Sequence, residues 1–134
     1  MSKDEVKEAI LSTLVEPPGQ LDKEIVEQCK GLLKLESESK KVRLADLRLS
    51  EKERIALYCL GKRLLAYLLD DPSISDVTRE ELQAELGIDA KAVSAYASLL
   101  IEKERLLERD TRGSYRVRLP RMSSFLAKIR QKAV

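Results

Sequence analysis

A chain of 134 residues with a formal net charge of +2 suits one compact domain with an appendage, or two very small units. Its 43% hydrophobic content supports a core, but one Phe and no Trp leave that core to Leu, Ile, Val and Ala, which favours helices. The absence of His removes the commonest acid–base group and metal ligand, no apolar run approaches the length of a membrane span, and the start MSKDEVKE lacks a signal-peptide pattern.

In chain order, residues 3 to 15 place Val6, Ala9, Ile10, Thr13 and Leu14 at helical spacing. Glu16-Pro17-Pro18-Gly19 breaks that pattern, because neither proline continues a helix. A second helix is expected over Leu21 to about Leu33, with Leu21, Ile25, Cys29 and Leu32 on one face and Gly31 blurring its end. Leu33, Leu35, Val42 and Leu44 then alternate with polar residues on both sides of Glu36 to Lys41. Period two predicts a β-hairpin here, with an irregular linker as the alternative.

Ser50 and Glu53 form a capping box that opens the longest regular element. Ile55, Leu57, Tyr58, Leu60, Leu64, Leu65, Leu68 and Leu69 cover more than half of its circumference, the mark of a central helix. Asp70-Asp71-Pro72 stops it, and Ile74 to Val77 reads as a short strand. Thr78 and Glu81 suggest a second capping box for a helix that buries Leu82 and Leu86. Gly87 supplies the left-handed residue that ends it, and Ile88 is an apolar plug. Asp89 caps a further helix whose Val93, Ala97, Leu100 and Ile101 form a buried stripe. Two short strands follow around Asp110-Thr111-Arg112-Gly113. On the second, Tyr115, Val117 and Leu119 alternate with Ser114, Arg116 and Arg118. After Pro120, residues 121 to 132 read as an amphipathic helix with Met122, Phe125, Leu126 and Ile129 in line.

Charge is distributed unevenly. Up to residue 110 there are 18 basic and 23 acidic residues; from 111 onward there are seven basic and none acidic. A polyanion-binding end is one reading, an ordinary solvated surface the other. Abundant Glu, Lys and Arg without any Asn is a thermophile-like bias. Cys29 and Cys59 lack metal-ligand spacing and read as small core residues of a reduced, cytoplasmic protein. There is no P-loop and no GxGxxG. The sequence thus points to no catalytic residue, metal ligand or cofactor, and the expectation is a binding protein rather than an enzyme.

The order of residues from Thr78 to Leu119 resembles a winged helix-turn-helix, and together with its N-terminal extension the chain is similar to small archaeal winged-helix proteins described as transcriptional regulators. The resemblance implies an α+β fold, mainly α with small β. Residues 1–49 would be an extension of two helices and a hairpin, 50–120 the winged domain, and 121–134 a basic C-terminal helix. It also implies double-stranded DNA as partner. Helix 90–105 would enter the major groove with Ala90, Lys91, Ser94, Ala95 and Ser98 facing the bases. Arg112, Arg116 and Arg118 of the wing (110–119) would follow the phosphate backbone or reach the minor groove, and Arg121 adds a cation behind them. A homodimer is expected, since one small winged domain offers limited contact area.

Three features depart from that pattern. The helix offers mainly Ala and Ser where base readers present Arg, Asn or Gln. Arg105 stands where a Gly often ends the helix, so the helix would run on, and residues 78 to 110 are net acidic. Tyr96 would either fill the core or stand against the sugar–phosphate backbone. The alternative is therefore a winged-helix protein-interaction module in a larger assembly.

Overall fold

The wide apolar surface of α3 (Glu51–Leu68) makes it the element on which both hairpins and the two helices that follow it pack. Ile55, Ala56, Leu57, Cys59, Leu60 and Leu65 are fully buried, and Tyr58 and Ala66 nearly so. The Ser50 capping box is complete: the Glu53 N–H donates to Ser50 Oγ at 3.1 Å and the Ser50 N–H to Glu53 Oε1 at 2.9 Å.

A computed structural model describes residues 2–13, 21–45, 48–110 and 112–133. The features expected at Leu14, Glu16-Pro17-Pro18-Gly19 and Thr111 lie outside the described residues. Those described form an α+β structure of six α-helices and two antiparallel hairpins. Before α3 come α1 (Lys3–Thr13), α2 (Lys23–Gln28), β1 (Leu33–Glu36) and β2 (Lys41–Leu44). After it come a 3₁₀ turn (Pro72–Ser75), α4 (Arg79–Leu86), α5 (Ala90–Glu102), β3 (Leu107–Arg109), β4 (Tyr115–Val117) and α6 (Met122–Ala133). No helix among the described residues is long and apolar enough to cross a membrane.

The first hairpin forms where alternation places it, with Leu35 opposite Val42 and Leu33 opposite Leu44. It packs on α3, while α2 packs on α6. Gln28 Nε2 donates to the Ser123 carbonyl at 3.1 Å, and the Arg130 guanidinium donates to the carbonyls of Gln28 and Lys30. A single cluster of buried side chains runs from Ile25 to Ile129, so the N-terminal hairpin and the last helix share one core with α3 to β4. On α1, Val6 and Ile10 are 42% and 45% exposed. Cys29 and Cys59 are free thiols inside the core. Burial raises both pKa values, that of Cys29 to about 11 against the opposing charge of Arg130.

Four local expectations change. The second helix stops at Gln28, because residues 29–32 turn and Leu33 joins the hairpin. Ile74 lies in the 3₁₀ turn, whose N-terminal proline suits a helical turn; the strand pairing of this stretch is confined to Val77, which bridges to Tyr115. Glu81 does not reach back to complete a second capping box. Its N–H donates to Thr78 Oγ1, but its carboxylate accepts from the Tyr58 hydroxyl at 2.6 Å and pairs with Lys62 at 3.3 Å. Finally, α5 ends at Glu102 rather than running on, and Arg105 itself takes the left-handed conformation at φ 54.

That conformation costs an L-residue about 1 kcal/mol relative to glycine. Arg105 is exposed, so Arg105→Gly is expected to raise the unfolding free energy by about 0.5–1 kcal/mol, read as a higher urea midpoint at unchanged m-value. An unchanged or lower midpoint would show that the Arg105 side chain stabilises the chain by as much as its backbone costs.

Candidate nucleic-acid interface

Three local rules place α4 and α5. Thr78 caps α4; Gly87, at φ 67, ends it; and Asp89 caps α5 by accepting from the Ala92 N–H at 2.9 Å. Arg54, from α3, donates to the Leu86 carbonyl at 3.1 Å, which satisfies one of the acceptors that a helix C-terminus leaves open. Ile88, Val93, Ala97 and Leu100 are buried. The opposite face of α5 carries Lys91, Ala95 and Ser98, all exposed, with Ser94 half-buried. Spacings of three and four residues align these side chains. Ala90 is exposed at the start of the helix, and Tyr96 is half-buried against the core.

In the second hairpin Leu107 pairs with Val117 and Arg109 with Tyr115. Tyr115 also exchanges two backbone hydrogen bonds with Val77, at 2.9 and 2.7 Å, so β4 lies between β3 and the residue that leads into α4. The hairpin turn is organised by Asp110, whose Oδ1 accepts from the N–H groups of Arg112 and Ser114, each at 2.9 Å. Desolvation works against the ionised Asp110 carboxyl. The hydrogen bonds from Ser114 and Arg112, with the charges of Arg116 and Arg112, outweigh it and hold the pKa below the usual carboxylate value. Gly113 turns the chain at φ 86.

This arrangement brings the hairpin turn against α5 and the start of α4. A cavity of about 480 Å³ opens there, lined by Thr78, Arg79, Glu80, Ser94, Arg109, Arg112, Gly113, Ser114 and Tyr115. Of the anticipated site residues, Ser94 and Arg112 meet in it. Arg79 and Arg109 were not anticipated. Arg109 stacks over the Tyr115 ring at 5.3 Å and donates to its hydroxyl at 3.2 Å, which fixes a cation at the rim. Among the described residues Arg79 pairs only with Glu80, at 3.8 Å and exposed, a contact of the kind that water and salt screen strongly. The one sequence signal for Arg79 was its place directly after a cap residue; for Arg109, its register opposite Tyr115.

Other anticipated residues go elsewhere. Arg116 is committed to an ion pair with Asp76 and lies 4.0 Å from Asp110. Arg118 is half-buried, and its backbone N–H donates to the Leu106 carbonyl at 2.7 Å. Arg121 lines a different cavity, of about 650 Å³, formed by the start of α3, the turn after α5 and one face of α6. Chemically, the cavity at the hairpin turn offers three guanidinium groups, hydroxyls from Thr78, Ser94 and Ser114, and one carboxylate. Such a set is suited to holding an anion. Among the described residues no group of acidic or sulfur side chains could hold a metal ion. Compared with known proteins, the chain matches no family model, no curated protein and no solved structure.

Proposed function

We propose that the chain is a double-stranded DNA-binding protein of the winged helix-turn-helix type, acting on transcription as a homodimer. In this reading α5 lies in the major groove and the β3–β4 hairpin is the wing that grips the phosphate backbone. The observation that carries it is the meeting of Arg79, Arg109 and Arg112 with Ser94 at the hairpin turn. Guanidinium groups bind phosphate oxygens through two N–H groups at once, and the neighbouring face of α5 is small enough for close approach to bases. Lys91 supplies charge on that face, while Ala95 and Ser98 leave room. Contacts of this composition weight the backbone over base edges, so the binding is strongly salt-dependent and modest in sequence preference.

Fluorescence anisotropy with a generic duplex across a salt series tests the reading. The wild type is expected to bind at low salt and to weaken linearly in log K against log salt. Arg79→Ala/Arg112→Ala is expected to lower the magnitude of that slope by about two and to weaken binding at 50 mM salt more than about tenfold. Arg116→Ala, which removes a guanidinium already paired with Asp76, should change the slope by clearly less than one. Equal losses in the two variants would detach the hairpin turn from the DNA. Leu99, 42% exposed beside Ala95 on α5, favours a second reading in which α5 packs on a protein partner. An absence of duplex binding even at low salt would bring that reading forward.

A further inference from the structure

The larger cavity lies away from the hairpin turn and shares no lining residue with it. Its construction follows from the two faces of α6. Met122, Leu126 and Ile129 are fully buried, and a second stripe presents Phe125, Lys128 and Lys132, with Arg121 just before the helix, to the cavity at helical spacing. Ser50, Lys52 and Glu53 at the start of α3 form the opposite wall, and Glu104 and Leu106 after α5 close one side.

The charges are unequally satisfied. Lys132 Nζ contacts both Glu53 oxygens, at 3.1 and 3.2 Å, and Lys52 Nζ binds Glu104 Oε1 at 2.6 Å. Burial disfavours the charged Glu53, but hydrogen bonds from Ser50 and Lys132 more than offset it and keep the pKa below the usual carboxylate value. Both carboxylates are thus neutralised within the wall. Arg121 and Lys128 remain, exposed and without a carboxylate partner among the described residues. Phe125, half-buried between them in sequence, and the buried Leu106 supply an apolar floor.

From this juxtaposition we propose that the cavity is a binding site for a small phosphomonoester with a flat apolar body. The phosphate sits between the Arg121 guanidinium and the Lys128 ammonium, where two positive charges meet a dianion. The apolar body lies on Phe125 and Leu106. A cavity of about 650 Å³ is in the range that takes a small organic ligand, and its lining is mostly charged and polar, with Phe125 and Leu106 as the apolar pair. The site is independent of the wing and stands whether or not the chain binds DNA.

Phenyl phosphate is the probe, titrated by calorimetry into the full chain beside inorganic phosphate and benzyl alcohol. Expected is saturable one-to-one binding of phenyl phosphate with a Kd of about a millimolar or tighter, and at least tenfold weaker binding of either fragment. Arg121→Ala/Lys128→Ala should weaken phenyl phosphate at least tenfold while leaving the thermal midpoint of the free protein within a few degrees, because both side chains are exposed. Phe125→Leu should weaken phenyl phosphate but not inorganic phosphate. Three results would each overturn the proposal: no binding at several millimolar, inorganic phosphate binding as well as phenyl phosphate, or full affinity in the double variant.

Discussion

Truncation after Pro120 is expected to abolish the cooperative unfolding transition. By charge alone the last segment is a basic tail, yet Met122, Leu126 and Ile129 of α6 are all fully buried. Removing them exposes the apolar surface they cover on α2 and in the shared core. Each such side chain contributes roughly 1.5–3 kcal/mol by burial, so three together approach the roughly 5–15 kcal/mol by which a domain is stable. The loss also strips two carbonyls at the end of α2 of their Arg130 donor. The graded version is Leu126→Ala, expected to cost about 3 kcal/mol and to lower the thermal midpoint by about 10 °C. Circular dichroism at 222 nm during heating reads both. A truncated chain that still melts sharply within a few degrees of the full chain would mean that α6 is an accessory to the core rather than part of it.

Gly61→Ala should destabilise the protein by about 1–3 kcal/mol, the reverse of what helix propensity dictates. Replacing a mid-helix glycine with alanine ordinarily stabilises a helix by about 1 kcal/mol. At Gly61 a Cβ would stand 2.4 Å from Val42 Cγ1, closer than carbon contacts allow, and a tight 3.0 Å from Cγ2. Val42 is β-branched and stiff at χ1, and it is held in β2 opposite Leu35, so hairpin and helix must separate. Overpacking of that kind typically costs about 1–3 kcal/mol. A double-mutant cycle isolates the cause. Val42→Ala alone leaves a cavity and destabilises, but Gly61→Ala added to it should cost little or even stabilise, since the clashing methyls are gone. Additive losses in the cycle would remove the steric explanation.

Much of the backbone was legible in sequence because its determinants are local. A capping serine, threonine or aspartate needs only the N–H three residues ahead, so Ser50, Thr78 and Asp89 mark their helices without reference to the rest of the chain. Gly87 marks the end of α4 for a similar reason, its freedom at positive φ. Alternation over Leu33 to Leu44 was enough for the first hairpin, and the breadth of apolar surface after Ser50 was enough to make α3 central. Arg105 shows the limit even here: the αL position after α5 lacks glycine, and only the backbone reveals it.

Side-chain assignments were legible where burial alone decides them and obscure where partners do. Arg112, Arg116 and Arg118 look equivalent along the strand, but Asp76, forty residues from Arg116, separates them by taking one guanidinium into an ion pair. Glu81 has the spacing of a capping box, yet Tyr58 and Lys62 on α3 offer its carboxylate a better-enclosed site. Arg79 and Arg109 lie thirty residues apart and meet at one cavity only because β4 pairs with both β3 and Val77.

By itself, then, the sequence determined the helices α3, α4 and α5 with their caps at Ser50, Thr78 and Asp89, the two hairpins and the excess of positive charge after residue 110. Each depends on hydrogen bonds or periodicities spanning a few residues. The tertiary structure decided which cations are free, which glycine is indispensable to packing and where the cavities open. Those depend on distances between segments far apart in the chain, and neither composition nor spacing encodes such distances.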